Sequence, residues 1–210
     1  YLSVLSIYIL SRNILNTQKK INIFIDVVIA SSVLTIIFGL DGLFYYSLEK
    51  LHVFFGNPKT GSSRMVANFG YPNTLAAYLV FTIMLALGRY FVVENKKIRY
   101  LYVSYIQIAM LGFVYGNSRA LMLMFAIIFL VYLIVLKDRE KILQAIWVIG
   151  SNLVIAFIFE MLLNKFFIAN WKLWLIFALD IIFVYVLNYF LGGKIFKIKI
   201  NKKIFYITIV

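Results

Sequence analysis

Along the chain, runs of about 20 apolar residues, the length needed to cross a bilayer core as helix, alternate with short polar or charged breaks. The whole runs fall at roughly 21–43, 72–93, 100–116, 120–136, 142–163 and 173–191. Two shorter apolar stretches, YLSVLSIYIL at 1–10 and IFYITIV at 204–210, stand at the ends and read as partial spans. The pattern predicts an all-α, polytopic integral membrane bundle with about six complete transmembrane helices and a partial span at each end. No repeat of fixed period and no low-complexity linker interrupts it, so residues 1–210 form one membrane domain. Because the chain opens on Tyr1 without a basic leader, it is expected to be a piece of a longer protein.

The polar breaks carry a second pattern. Fourteen of the 21 basic residues occupy alternate connections: Arg12, Lys19 and Lys20; Lys96, Lys97 and Arg99; Lys137, Arg139 and Lys141; and the lysines at 194, 197, 199, 202 and 203. By the positive-inside rule these connections face the cytoplasm, and Arg89, one turn inside a span, is expected to snorkel to the same side. The opposite, extracytoplasmic side then receives the one long loop, 44–71, together with the junction at 117–119. Composition agrees with a bilayer setting: 64% of residues are hydrophobic and 14% charged, well away from soluble averages. It excludes disorder, coiled coil and a disulfide scaffold. The net charge of +13 is explained by membrane orientation without a nucleic-acid partner. With no Cys there is neither a thiol nucleophile nor a thiolate metal site, and no metal or cofactor is expected.

Two places stand out for chemistry. In GSSRMVANFGYPNTLAAYL (61–79), Pro72 suits the first turn of a helix, Tyr71 before it is biased to extended geometry, and Asn73 is polar at the helix mouth. The helix start presents unpaired N–H groups with Arg64 a few residues upstream, a combination that suits an anion. In YGNSRAL (115–121), one helix ends at Gly116 and the next begins with Ser118 as N-cap, after Asn117. Arg119 then lies in the first turn, where the macrodipole disfavours a cation. A bound phosphate would account for it, since the guanidinium fork matches phosphate oxygens. The competing reading of each arginine is an interfacial anchor for lipid headgroups.

The sequence SRMVANFGYPNTLAAYL, followed some forty residues later by NSRALMLMFAIIFLVYL, resembles the O-antigen ligase and polymerase family of polytopic membrane glycosyltransferases. The resemblance covers about residues 60–136 by motif. It implies a reaction at the outer face of the cytoplasmic membrane, in which a glycan carried on undecaprenyl diphosphate is transferred to a glycan or lipid acceptor without nucleotide sugar, metal or cofactor. It also implies catalytic roles for Arg64 and Arg119 at the diphosphate and substrate-binding roles for Tyr71, Asn73, Asn117 and Ser118. The richness in Ile, Lys, Asn, Phe and Tyr points to an AT-rich genome and so leans towards the polymerase over the ligase. A family histidine in a later outward loop has no counterpart here: the single histidine, His52, lies upstream of the arginine motif and reads as an interfacial loop residue.

Three further features bear on the choice of function. Asp180 lies inside a span, where an ionisable group demands a partner from another helix or a proton. Glu160 near the end of its span is positioned to pair with Lys165 or to accept a proton. Tyr45, Tyr46, Phe54, Phe55 and Tyr71 are the outer-loop rings available for sugar stacking. The alternatives that stay open are a transporter or flippase for a lipid-linked or anionic envelope precursor, using the same arginines for binding alone, and a non-catalytic assembly subunit of the envelope. Membrane lipids are partners in every case.

Overall fold

The computed structural model describes residues 14–44, 64–166 and 172–195. The partial end spans and the loop segment 45–63, with His52 and the rings at 45, 46, 54 and 55, lie outside the described residues. Helix α1 (Gln18–Phe44) precedes a single 3-10 turn (Ala67–Phe69), then come α2 (Pro72–Val92), α3 (Lys96–Gly116), α4 (Arg119–Leu136), α5 (Arg139–Phe166) and α6 (Lys172–Ile195). Each of the six helices contains a stretch long and apolar enough to cross a membrane, and the described residues include no strand. The chain is an all-α, multi-pass membrane bundle.

Helix ends follow local chemistry. Pro72 occupies the first turn of α2 after an extended Tyr71, where its missing N–H costs nothing. The Asn95 side chain accepts the Lys97 backbone N–H at 3.0 Å and starts α3, and Asp138 does the same for Glu140 at 3.0 Å at the head of α5. These caps place α3 and α5 three or four residues ahead of the apolar runs expected at 100 and 142. Charged residues form helix as readily as apolar ones once past the lipid boundary. At the junction of α2 and α3, Arg99 donates from both Nε and Nη2 to the Val93 carbonyl, at 3.0 and 2.9 Å, fastening the turn.

Helix α3 is the axis of the bundle and packs against α1, α2, α5 and α6. In its best 18-residue window 78% of residues are buried, against 6% for α4. The same two helices have the lowest and the highest mean hydropathy of the six, 1.2 and 2.7. The inversion has a physical cause: lipid is the solvent, so the enclosed helix holds the polar groups and the peripheral one is uniformly apolar.

Those polar groups connect α3 to its neighbours. Tyr105 and Ser32 of α1 share a hydrogen bond of 2.6 Å, and Gln107 Nε2 donates to Asp180 Oδ2 of α6 at 2.9 Å, both residues being buried. Asp180 therefore finds its partner on another helix, and it is an amide rather than a cation. Arg89 does not extend to the surface as expected. It donates from Nε and Nη2 to the two oxygens of Asp26 at 2.9 and 3.0 Å, while Tyr102 donates to Asp26 Oδ1 at 2.7 Å. A carboxylate within reach on α1 offers the guanidinium a bidentate match that headgroup water does not. Interhelical hydrogen bonds in a bilayer contribute about 0.6–2 kcal/mol each, so the set aligns the helices more than it dominates stability.

Candidate functional site

At one end of the bundle α2 begins, α3 ends and α4 begins. The ends pack closely at Gly116, where a Cβ would make ordinary contact with Ala76 Cβ at 3.7 Å and the Pro72 carbonyl oxygen at 3.8 Å. Asn117 reverses the chain in the left-handed region at φ 43°, a conformation open mainly to Gly, Asn and Asp. Ser118, extended, then opens α4.

The segment before α2 is pinned onto this junction. The Met65 N–H donates to the Tyr115 carbonyl at 2.9 Å. Its side chain, 1% exposed, fills the space left by Gly39 of α1 and Gly112 of α3. Arg64 is fixed as a result: Nε donates to the Gly116 carbonyl at 3.0 Å and Nη2 to Asn73 Oδ1 at 3.2 Å. The left-handed residues Ala67 (φ 49°) and Gly70 (φ 67°) turn the chain from Met65 into α2.

Arg64, Asn73, Asn117, Ser118, Arg119 and Ala120 line an open pocket of about 370 Å³. Two helix starts face it, and neither Tyr71 nor Ser118 caps its helix through a side chain. The first N–H groups of α2 and α4 therefore lack side-chain acceptors, and each start carries a partial positive charge. Arg119 is exposed, at the first position of α4, and among the described residues its side chain makes no hydrogen bond or ion pair. Two guanidinium groups and two positive helix ends around one cavity can hold a multiply charged anion with several oxygens. Arg64 also serves the fold, because its bond to Gly116 satisfies a carbonyl at the C-terminus of α3.

Five of the six residues singled out in the sequence thus line one pocket. Tyr71, 64% exposed and outside the lining, does not. Glu160 is partly buried, and the Lys165 side chain lies outside what the structure describes. Among the described residues no group of three or more His, Cys, Asp and Glu gathers at a metal-binding position. Two contributors escaped the sequence reading. Met65 is an ordinary apolar residue until its glycine notch is seen. The second is an apolar groove of about 330 Å³ beside the pocket, bounded by Phe113 of α3, by Met122, Phe125 and Phe129 of α4, and by Ile149 and Gly150 of α5. It begins one turn from Asn117 and Arg119 and extends along α4 from Met122 to Phe129, about 10 Å at 1.5 Å per residue. The chain matches no protein-family model, and no curated protein and no solved structure is similar to it.

Proposed function

We propose that this protein is a membrane glycosyltransferase of the O-antigen ligase or polymerase kind. In this reading it works at the extracytoplasmic face of the cytoplasmic membrane and transfers or polymerises a glycan from an undecaprenyl diphosphate carrier in surface polysaccharide synthesis. The observation that carries the reading is a cationic pocket with an apolar groove that starts about one helical turn away along α3 and α4. Its chemistry complements an amphiphile with an anionic head and a long hydrocarbon tail. The sidedness rests on the alternation of lysines and arginines, which puts the pocket opposite the basic connections.

In the proposed reaction the acceptor hydroxyl oxygen bonds to the anomeric carbon as that carbon's bond to the diphosphate oxygen breaks. The hydroxyl proton passes to a base, and the electron pair leaves on undecaprenyl diphosphate. Arg64, Arg119 and the N–H groups of α2 and α4 act on the leaving diphosphate, where negative charge grows. Fixed donors of this kind stabilise a transition state without reorganising. Asn73 orients Arg64, and Asn117 and Ser118 shape the wall against the sugar.

The test is transfer from an undecaprenyl diphosphate-linked glycan by full-length protein in membranes, wild type against Arg119→Ala at matched expression. Removing one preorganised donor costs about 10²–10³ in rate. A loss under tenfold, about 1.4 kcal/mol, removes Arg119 from the mechanism. A second reading, carriage of the same amphiphile without chemistry, draws on Asp180, a carboxylic group inside a span that transport pathways often employ. Binding of the lipid-linked glycan with no product from any acceptor would favour it.

A further inference from the structure

At the opposite end of α3 from the arginine pocket, about 28 Å away at 1.5 Å per residue from Lys97 to Gly116, lies a second pocket of about 180 Å³. It is lined by Lys97 of α3 and by Tyr185, Val186, Tyr189 and Phe190 of α6. Its tyrosines are held in place. The rings of Tyr185 and Tyr189 stack at 6.2 Å and 12°, and Tyr100 of α3 stands edge-on to both, at 6.4 and 5.7 Å. Behind them, Trp147 of α5 donates to Asn188 at 3.1 Å, which fixes the rotation of α6.

The neighbouring cations are already engaged: Arg89 with Asp26, and Arg99 with the Val93 carbonyl. Lys97 differs. Its backbone N–H serves the Asn95 cap, but among the described residues its ammonium group makes no hydrogen bond or ion pair. The hydroxyls of Tyr185 and Tyr189 likewise have no hydrogen-bond partner among the described residues. Lys97 and the two tyrosines thus border a cavity whose walls are almost wholly apolar, Val186 and Phe190 among them, and Phe190 is 64% exposed. Five lysines follow Tyr189 within fourteen residues of sequence.

We propose that this pocket binds the headgroup of an anionic phospholipid. The phosphodiester takes hydrogen bonds from Lys97, Tyr185 and Tyr189, and the acyl chains descend along Val186 and Phe190. Charge complementarity selects the anionic class, since basic pockets between spans attract the anionic lipids of the leaflet they face. The apolar walls select a lipid over a soluble anion. This inference is independent of the reading of the arginine pocket.

The test is native mass spectrometry of the protein released from bilayers of phosphatidylglycerol and phosphatidylcholine in equal amounts. Wild type is expected to retain phosphatidylglycerol preferentially. Lys97→Gln should weaken that retention about fivefold, equivalent to about 1 kcal/mol, and Tyr189→Phe should weaken it as well. Lys97→Arg should keep it, and Lys96→Gln, which removes an adjacent charge that does not line the pocket, should leave it unchanged. Equal retention of the two lipids overturns the proposal. So does a loss in Lys96→Gln as large as in Lys97→Gln, which would indicate a general field. Full displacement of the lipid by millimolar inorganic phosphate overturns the lipid assignment.

Discussion

Replacing Gly39 by Ala tests whether Met65 holds Arg64 in place. A Cβ at Gly39 would lie 2.5 Å from Met65 Cε, 2.9 Å from Met65 Cγ and 3.1 Å from Ala67 Cβ. The terminal methyl group alone could swing aside, but moving Cγ requires rotation about the Cα–Cβ bond, which repositions the whole buried side chain. Met65 must therefore withdraw and strain its bond to Tyr115 and the adjacent anchoring of Arg64. Overpacking of this kind costs about 1–3 kcal/mol, and the gain from replacing a mid-helix Gly by Ala offsets about 0.8–1 kcal/mol. The expected net loss of stability is about 0–2 kcal/mol, accompanied by weaker binding of inorganic diphosphate. The assays are denaturant unfolding in detergent and calorimetric titration with diphosphate. Gly88→Ala is the control, because a Cβ there meets nothing within 4 Å. The double variant Gly39→Ala with Met65→Ala should show strong coupling, as expected of residues in contact. Unchanged stability and unchanged diphosphate binding in Gly39→Ala would refute the wedge.

Other expectations follow from the same geometry. Gly150 lines the apolar groove, and a Cβ there meets nothing within 4 Å; Gly150→Leu should leave thermal stability intact and weaken a long-chain polyprenyl diphosphate far more than inorganic diphosphate, and equal effects on the two would sink the tail-groove assignment. Asn117→Ala should cost about 1–2 kcal/mol for a left-handed Ala, while Asn117→Gly should unfold at nearly the wild-type denaturant midpoint. Asp26→Ala leaves Arg89, 12% exposed, without its carboxylate partner; because the Asp26 side chain is 41% exposed, the cost falls between surface and buried pairs, at about 2 kcal/mol, to be checked by unfolding against the double variant Asp26→Ala with Arg89→Ala.

The spans were legible because the bilayer writes their length into the sequence, and every helix end lies within four residues of the apolar pattern. The pocket was legible for a local reason as well. Pro72, Asn73, Ser118 and Arg119 mark helix starts, and helix starts are coded by neighbouring residues. What remained hidden depends on which helix stands beside which. Asp26 and Arg89 are separated by 63 residues, and nothing near either one names the other. Tyr71 has the same extended backbone as expected, yet it is exposed and does not line the cavity. The central place of α3 had its own signal in the sequence: among spans, the one with Ser104, Gln107 and four tyrosines is the one least suited to face lipid.

Helix α4 carries Arg119 at one end, closes one side of the groove along its length, and buries only Phe125. It is a lever about 27 Å long, so a tilt of about 5° pivoting near Leu136 displaces Arg119 by about 2 Å. A group that wedged between Phe125 and Gly150 and tilted α4 would therefore move the guanidinium, tying the filling of the apolar groove to the geometry of the charged end.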